Sequence, residues 1–166
     1  MKDASIWREL RPLVIKVGVI AIIIALTFTF VYGLHAHAEP GMNPSVKDGD
    51  LVLYYRLDKK HKVGDLVLLT FQGQNQVRRV VAVTGDTVDI TEEGLFINGA
   101  LQQEPDRCQL TQRYTNGAEF PVTLKANEVF VLGDARENAT DSRVYGPVST
   151  KDIRGAVITL LRRRNL

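Results

Sequence analysis

Between Val17 and Leu34 the chain reads VGVIAIIIALTFTFVYGL, and no side chain in it is charged at neutral pH. About 18 apolar residues is the lower limit for crossing the hydrocarbon core of a bilayer as a helix. A helix packed on a soluble core would show polar residues on one face at a 3.6-residue period, and this run has only scattered threonines. The flanks agree with a span. Lys2, Arg8, Arg11 and Lys16 precede it against Asp3 and Glu9, and Trp7 and Tyr32 stand near its two ends, where amphipathic rings favour the headgroup layer. The positive-inside rule then gives a cytoplasmic segment 1–16, a single transmembrane anchor 17–34 in the cell membrane and an extracytoplasmic domain 35–166, with the bilayer as one partner. Ala36-His37-Ala38 also has the small-x-small form of a signal-peptide cleavage site, a rival that the length of the apolar run argues against.

A formal net charge of +2 over 166 residues gives no ground for a nucleic-acid partner. Cys108 is the only cysteine, so the exported domain must be stabilised by its core rather than by an internal disulfide. No neighbouring His marks Cys108 as reactive, and a structural thiol is expected. His35 and His37 stand two apart, but nothing near them completes a ligand set, so neither a metal nor another cofactor is expected. His61, within DKKHKVGD, reads as part of an exposed turn, and Arg162-Arg163-Arg164 as a solvated tail.

Beyond the anchor, short runs rich in β-branched residues alternate with turn signals. They fall at 50–57, 65–71, 76–83, 87–90, 94–99, 119–124, 128–134 and 154–161. Glu93-Gly94 and Asn98-Gly99 offer residues that tolerate positive φ on either side of a hairpin arm. No segment after the anchor keeps a helical period. The expected fold is mainly β: one amino-terminal transmembrane helix, then an antiparallel sheet domain, with a polar excursion over 100–116.

Four stretches then form an ordered set: GMNPSVKDGDLVLYYRL at 41–57, VGDLVLLT at 63–70, VRRVVAVTGDTVDITEEGLFING at 77–99 and VLGDARENATDSRVYGPV at 131–148. Their order, their spacing and their position after an anchor resemble the type I signal peptidases, over about residues 10 to 162. Those are membrane-anchored serine peptidases that cut signal peptides from exported proteins. The resemblance implies a Ser–Lys dyad, the serine preceding Met-x-Pro and the lysine preceding Arg-Val. Such a lysine must be partly neutral near pH 7, and donors near the serine must hold an oxyanion.

At each of these positions the sequence departs from the pattern. Gly41 stands where the nucleophile should precede Met42-Asn43-Pro44, and Arg78 where the base should precede Arg79-Val80. Ala139 replaces the serine expected two residues before Asp141. Glu39 occupies the oxyanion region, where a carboxylate would repel developing negative charge. Glycine has no side chain to attack with, and a guanidinium keeps its proton above pH 12. Two other serines deserve weighing as nucleophiles: Ser45, where the family usually has threonine, and Ser142 inside Asp-Ser-Arg. Neither has a recognisable base nearby in sequence.

What is kept is scaffold. Gly133-Asp134 and Asp141-Ser142-Arg143 are expected to fix a turn, Pro40, Gly41, Met42 and Arg78 to line a peptide site, and Glu39 and Arg78 to pair across the former cleft. The resemblance implies a catalytically degenerate member of the kind found in Gram-positive pilus loci, an assembly or chaperone-like factor whose partners are pilin subunits or sortase. Two alternatives stand beside it: an active signal peptidase with unorthodox residues, and a general extracytoplasmic binding module.

Overall fold

The structure, a computed structural model, describes residues 2–103 and 110–162, so Cys108 and Arg163-Arg164 lie outside the described residues. It divides into two compact units, Met1–Gly33 and Leu34–Leu166. The first is helical: α1 (Lys2–Leu26) runs into a π-helical turn at Thr27–Val31. Its apolar window, Leu10–Val31, is long enough to cross a membrane and has none of its residues buried within the protein. Thr27 and Thr29 donate their hydroxyls to the carbonyls of Ile23 and Ala25, at 2.8 and 2.7 Å. Their polarity is thus satisfied inside the helix, as a hydrocarbon surrounding demands. The helical stretch ends sooner than the window 17–34 read from the sequence, because Tyr32 already belongs to β1 (Tyr32–Ala36).

The second unit is β-rich. In chain order its further strands are β2 (Leu51–Tyr55), β3 (Leu66–Phe71), β4 (Gln74–Ala82), β5 (Thr87–Thr91), β6 (Gly94–Ile97), β7 (Ala100–Leu101), β8 (Val122–Thr123), β9 (Glu128–Leu132), β10 (Val148–Ser149) and β11 (Ile153–Leu161). They form a seven-stranded sheet of order β1-β2-β11-β3-β4-β9-β10 and a four-stranded sheet of order β7-β6-β5-β8. The pairs β2–β11, β11–β3, β3–β4, β4–β9 and β9–β10 are all antiparallel. The run expected over 119–124 contributes only the two residues of β8, and the short strands β7 and β10 had no run long enough to announce them. Among the described residues, helix outside the first unit is limited to single turns, among them α2 (Ser142–Tyr145).

Side chains alternate between the faces of a strand, and the core follows that period. Val129 and Val131 of β9 join Val67, Leu69 and Val80 in one cluster, while Phe130 and Leu132 join Ala82, Val88, Ile90 and Leu95 in another. Leu68 and Val77 pack with Met42, Val46, Val52 and Tyr54 in a third. Strand β4 is therefore covered on both faces, so any charged residue on it must be paired. Gln72 and Gly73, both at positive φ, close the two-residue turn between β3 and β4 and set that register.

Candidate functional site

Arg78 and Arg79 are neighbours on β4, so they project to opposite faces of the sheet. Arg78 is fully buried, and its guanidinium reaches the Glu39 carboxylate in a fork, Nη1 to Oε1 and Nη2 to Oε2. Nε and Nη2 also donate to the Thr140 carbonyl at 3.0 and 2.8 Å. The Glu39 side chain, 27 % exposed, forms the outer wall of this pair. Tyr145 lies beside Arg78 with its hydroxyl buried, and burial raises the pKa of that hydroxyl.

Immediately after Glu39 the chain makes a 3-10 turn at Pro40–Met42, which places Gly41 against the loop that follows β9. The Gly41 carbonyl accepts from the Ala135 amide at 3.1 Å. A Cβ on Gly41 would sit 3.3 Å from both Cα and Cβ of Ala139, and one on Gly133 would lie 2.2 Å from the Ala139 Cβ. Three small residues therefore close on one another where a nucleophile and its surroundings were expected. Of the four residues expected to line a peptide site, only Pro40 is exposed; Gly41, Met42 and Arg78 are buried and offer a peptide no surface.

The turn expected from Asp134, Asp141, Ser142 and Arg143 is built as a buried network. Asp141 caps α2, accepting from the Arg143 amide and Nε with Oδ1 and from the Gly133 amide with Oδ2. Arg143 also pairs with Asp141 through Nη2 at 2.9 Å. The Ser142 hydroxyl, fully buried, accepts from the Val131 amide at 3.0 Å. Asp134, also fully buried, takes a fork of hydrogen bonds from Arg79 at 2.8 and 2.6 Å. Burial alone would push the Asp134 pKa up. Hydrogen bonds from Arg79 and Ser45 and the charges of Arg79 and Arg136 outweigh burial and hold it below the ordinary carboxylate value.

Two members of this network were missed by sequence reasoning. Tyr114 donates its hydroxyl to the Ala139 carbonyl at 3.1 Å and carries the Arg143 guanidinium 4.7 Å over its ring. Arg136 is buried and donates Nε to Thr111 at 2.8 Å. The one signal for Tyr114 was an aromatic residue alone in a polar excursion. A cleft of about 340 Å³ includes Tyr114, Arg136 and Arg143 in its lining, and another of about 480 Å³ includes Thr91 and Arg113; neither is lined by Glu39, Gly41 or Arg78. Among the described residues, no group of three or more His, Cys, Asp or Glu side chains is placed to hold a metal ion.

A model of the signal peptidase, peptidase S26, family matches residues 10–161. The chain belongs to this family. Signal peptidase I of Bacillus licheniformis is 28 % identical over 141 residues, covering 78 % of this chain and 76 % of its own. Signal peptidase IB of Staphylococcus aureus is 25 % identical over 169 residues, covering 90 % and 88 %. A crystal structure of a signal peptidase I from Enterococcus faecalis is 26 % identical, with a TM-score of 0.47, over 60 % of this chain and 97 % of that one. Arg78 and Gly41 stand where the base and the nucleophile were expected. The first is a guanidinium clasped by Glu39, and the second is a glycine pressed against Ala139.

The histidines complete the local electrostatics. His37 is buried with neither ring nitrogen hydrogen-bonded, and burial lowers its pKa below 6.5 although Glu39 opposes this. His61, expected in an exposed turn, is instead only 9 % exposed. Burial lowers its pKa as well, against the pull of Asp58 and Asp65. Its lysine neighbours take the solvent positions, which lets the ring turn inward.

Proposed function

We propose that this chain is a membrane-anchored, non-catalytic signal-peptidase homologue, its β domain outside the membrane and its amino terminus in the cytoplasm. It acts as an assembly or chaperone-like factor for exported subunits, in sortase-dependent pilus biogenesis. The observation that carries this reading is the Arg78–Glu39 clasp at the position assigned to the general base. A Ser–Lys mechanism requires a side chain that gives up its proton near neutral pH and takes one from a serine hydroxyl. A guanidinium is not such a side chain, and that of Arg78 is held in a fork by the Glu39 carboxylate. Gly41 supplies no hydroxyl, Ala139 supplies none to orient a base, and Glu39 puts negative charge where an oxyanion would develop. The buried network of Asp134, Asp141 and Arg143 is retained, which supports selection for the scaffold rather than for the reaction.

An active signal peptidase is the second reading, and the names of the relatives favour it. Its nucleophile would have to be Ser45 or Ser142. Ser142 is fully buried with its hydroxyl held by a backbone amide. Ser45 hydrogen-bonds Asp134, whose lowered pKa makes it a poor base at neutral pH. A strain lacking this gene decides the biological role. On the proposed reading it loses polymerised pili and regains them equally from the wild-type gene and from a Ser45→Ala/Ser142→Ala gene. Pilus loss that only the wild-type gene reverses would point to catalysis, and unaffected pili would remove the assembly role.

A further inference from the structure

The four-stranded sheet stops short along one edge of β5. Strand β8 pairs with β5 only at Thr87 and Val88, and the chain bends at Phe120-Pro121 instead of carrying β8 on beside Asp89, Ile90 and Thr91. Thr87 exchanges both of its main-chain groups with Asn98, at the end of β6, each at 2.8 Å. By alternation the main-chain groups of Val88 and Ile90 then face the β8 side. The amide and carbonyl of Ile90 are therefore the next rung of that ladder, and among the described residues no strand takes it. Side chains take it instead. The Ile90 amide donates to Asp89 Oδ1 at 2.8 Å, the Ile90 carbonyl accepts from Arg113 Nε, and Arg113 Nη2 closes on Asp89 Oδ1 at 2.7 Å. Ile90 is fully buried, whereas the Arg113 side chain above it is 47 % exposed. An ion pair this exposed is worth little, so it covers the rung without locking it.

Space and charge adjoin this rung. The cleft of about 480 Å³ is lined by Thr91, Glu92, Gln112 and Arg113, and the cleft of about 340 Å³ shares Gln112 and Arg113 with it and adds Arg136 and Arg143. Among the described residues Glu137 is the one carboxylate lining the second cleft, and Asp141, which holds Arg143, lies fully buried. We propose that the β5 edge at Ile90 takes an added strand from a partner, an extended acidic peptide. Its backbone replaces the two side-chain caps on Ile90, and a carboxylate a few residues on takes the displaced Arg113 guanidinium. The exchange keeps the Ile90 amide and carbonyl satisfied in both states, so opening the edge leaves no buried polar group unpaired. This edge is where the proposed assembly factor holds its exported subunit, and it rests on that role for the source of the peptide.

The probe is a fluorescein-labelled peptide of about ten residues, enough to span the edge and enter the second cleft at about 3.3 Å per residue. It alternates threonine and valine and ends in two glutamates, and its binding to the full chain in detergent is read by anisotropy. The expected result is binding about fivefold tighter than that of the same peptide ending in glutamines, the worth of one partly exposed ion pair. A fully N-methylated peptide, which has no amide to donate to the Ile90 carbonyl, should not bind. Arg113→Gln should erase the preference for glutamate, and Asp89→Ala should tighten binding, because a competing cap is gone. Equal binding of the glutamate and glutamine peptides, or of the N-methylated one, overturns the proposal. So does Asp89→Ala that weakens binding, which would make the pair a brace, or that dimerises without peptide, which would make it a guard against a second copy. Complementation of the strain lacking this gene separates the two readings. Unaffected pili in that strain remove the assembly role while the peptide-binding edge stands. Pili lost in that strain and fully restored by an Arg113→Gln gene keep the assembly role and overturn the edge as its holding point.

Discussion

Arg78 and Arg79 are adjacent on one strand and each grips one carboxylate, yet the two pairs are inverted. In the Arg79–Asp134 pair the carboxylate is fully buried and the cation is 19 % exposed. In the Arg78–Glu39 pair the cation is fully buried and the carboxylate is 27 % exposed. A buried carboxylate can escape an unpaired state by taking a proton, but a buried guanidinium has no such escape. The Arg78–Glu39 pair therefore buries its cation where the sequence led one to expect a base, and the Arg79–Asp134 pair buries its carboxylate. That difference separates the pair at the position where a base was expected from the pair that ties β4 to the loop after β9.

The comparison breaks most visibly at Arg79. Arg79→Ala strands Asp134 in the core and should cost about 3 kcal/mol at pH 7, read by chemical denaturation of the full chain in detergent. In the wild type, the Asp134 pKa lies below its ordinary 3.8, so its contribution is present above pH 3.8 and is lost as pH falls through the folded value. In the variant burial raises that pKa, the sign reverses, and the deficit should shrink as pH is lowered toward 3.8. Glu39→Ala should cost less, about 2 kcal/mol, because removing a partly exposed side chain lets water reach Arg78. Adding Arg78→Met should return stability to within about 1 kcal/mol of wild type; a double variant as unstable as the sum of its singles would mean that the two groups do not interact.

Smaller effects sharpen the surroundings. His37 and His61 both have folded pKa values below 6.5, so their stabilising contribution is full above pH 6.5 and falls with acidification. Each adds a slope of at most about 1.4 kcal/mol per pH unit below that point. His37→Gln should remove one of the two slopes, measured as stability between pH 6.5 and 5. Smallest, Gly41→Ala should cost about 1 kcal/mol, because its Cβ meets Ala139 at 3.3 Å and the loop must give slightly. An unchanged midpoint would show that the closure at Gly41 is loose.

Much of this was legible in the residues. The span followed from an apolar run without a polar face, and seven of the longer strands followed from β-branched runs between turn residues. The Asp141–Arg143 pair followed because both ends lie within one turn. The rest depended on contacts without a local signature. Tyr32 to Leu34 are apolar, and apolar residues suit a bilayer and a strand alike, so β1 was hidden inside the expected span. The inward turn of His61 was masked by the lysines around it. The closure of Gly41 on Ala139, and the Tyr114 hydroxyl on the Ala139 carbonyl, join segments far apart in the chain, so spacing alone could not announce them.

The central claim is that no group at this site can relay a proton from a serine to the leaving amine. Its most direct test is cleavage of a radiolabelled preprotein by the purified full chain in detergent across neutral to alkaline pH, beside the Bacillus licheniformis signal peptidase I. The expected result is no cleavage by the wild type at any pH. At most slow cleavage is expected after Gly41→Ser, Arg78→Lys and Ala139→Ser are combined, since Glu39 remains and the added side chains crowd the contact between Gly41 and Ala139. Signal-peptide removal by the unmodified chain, lost on Ser45→Ala or Ser142→Ala, would contradict it.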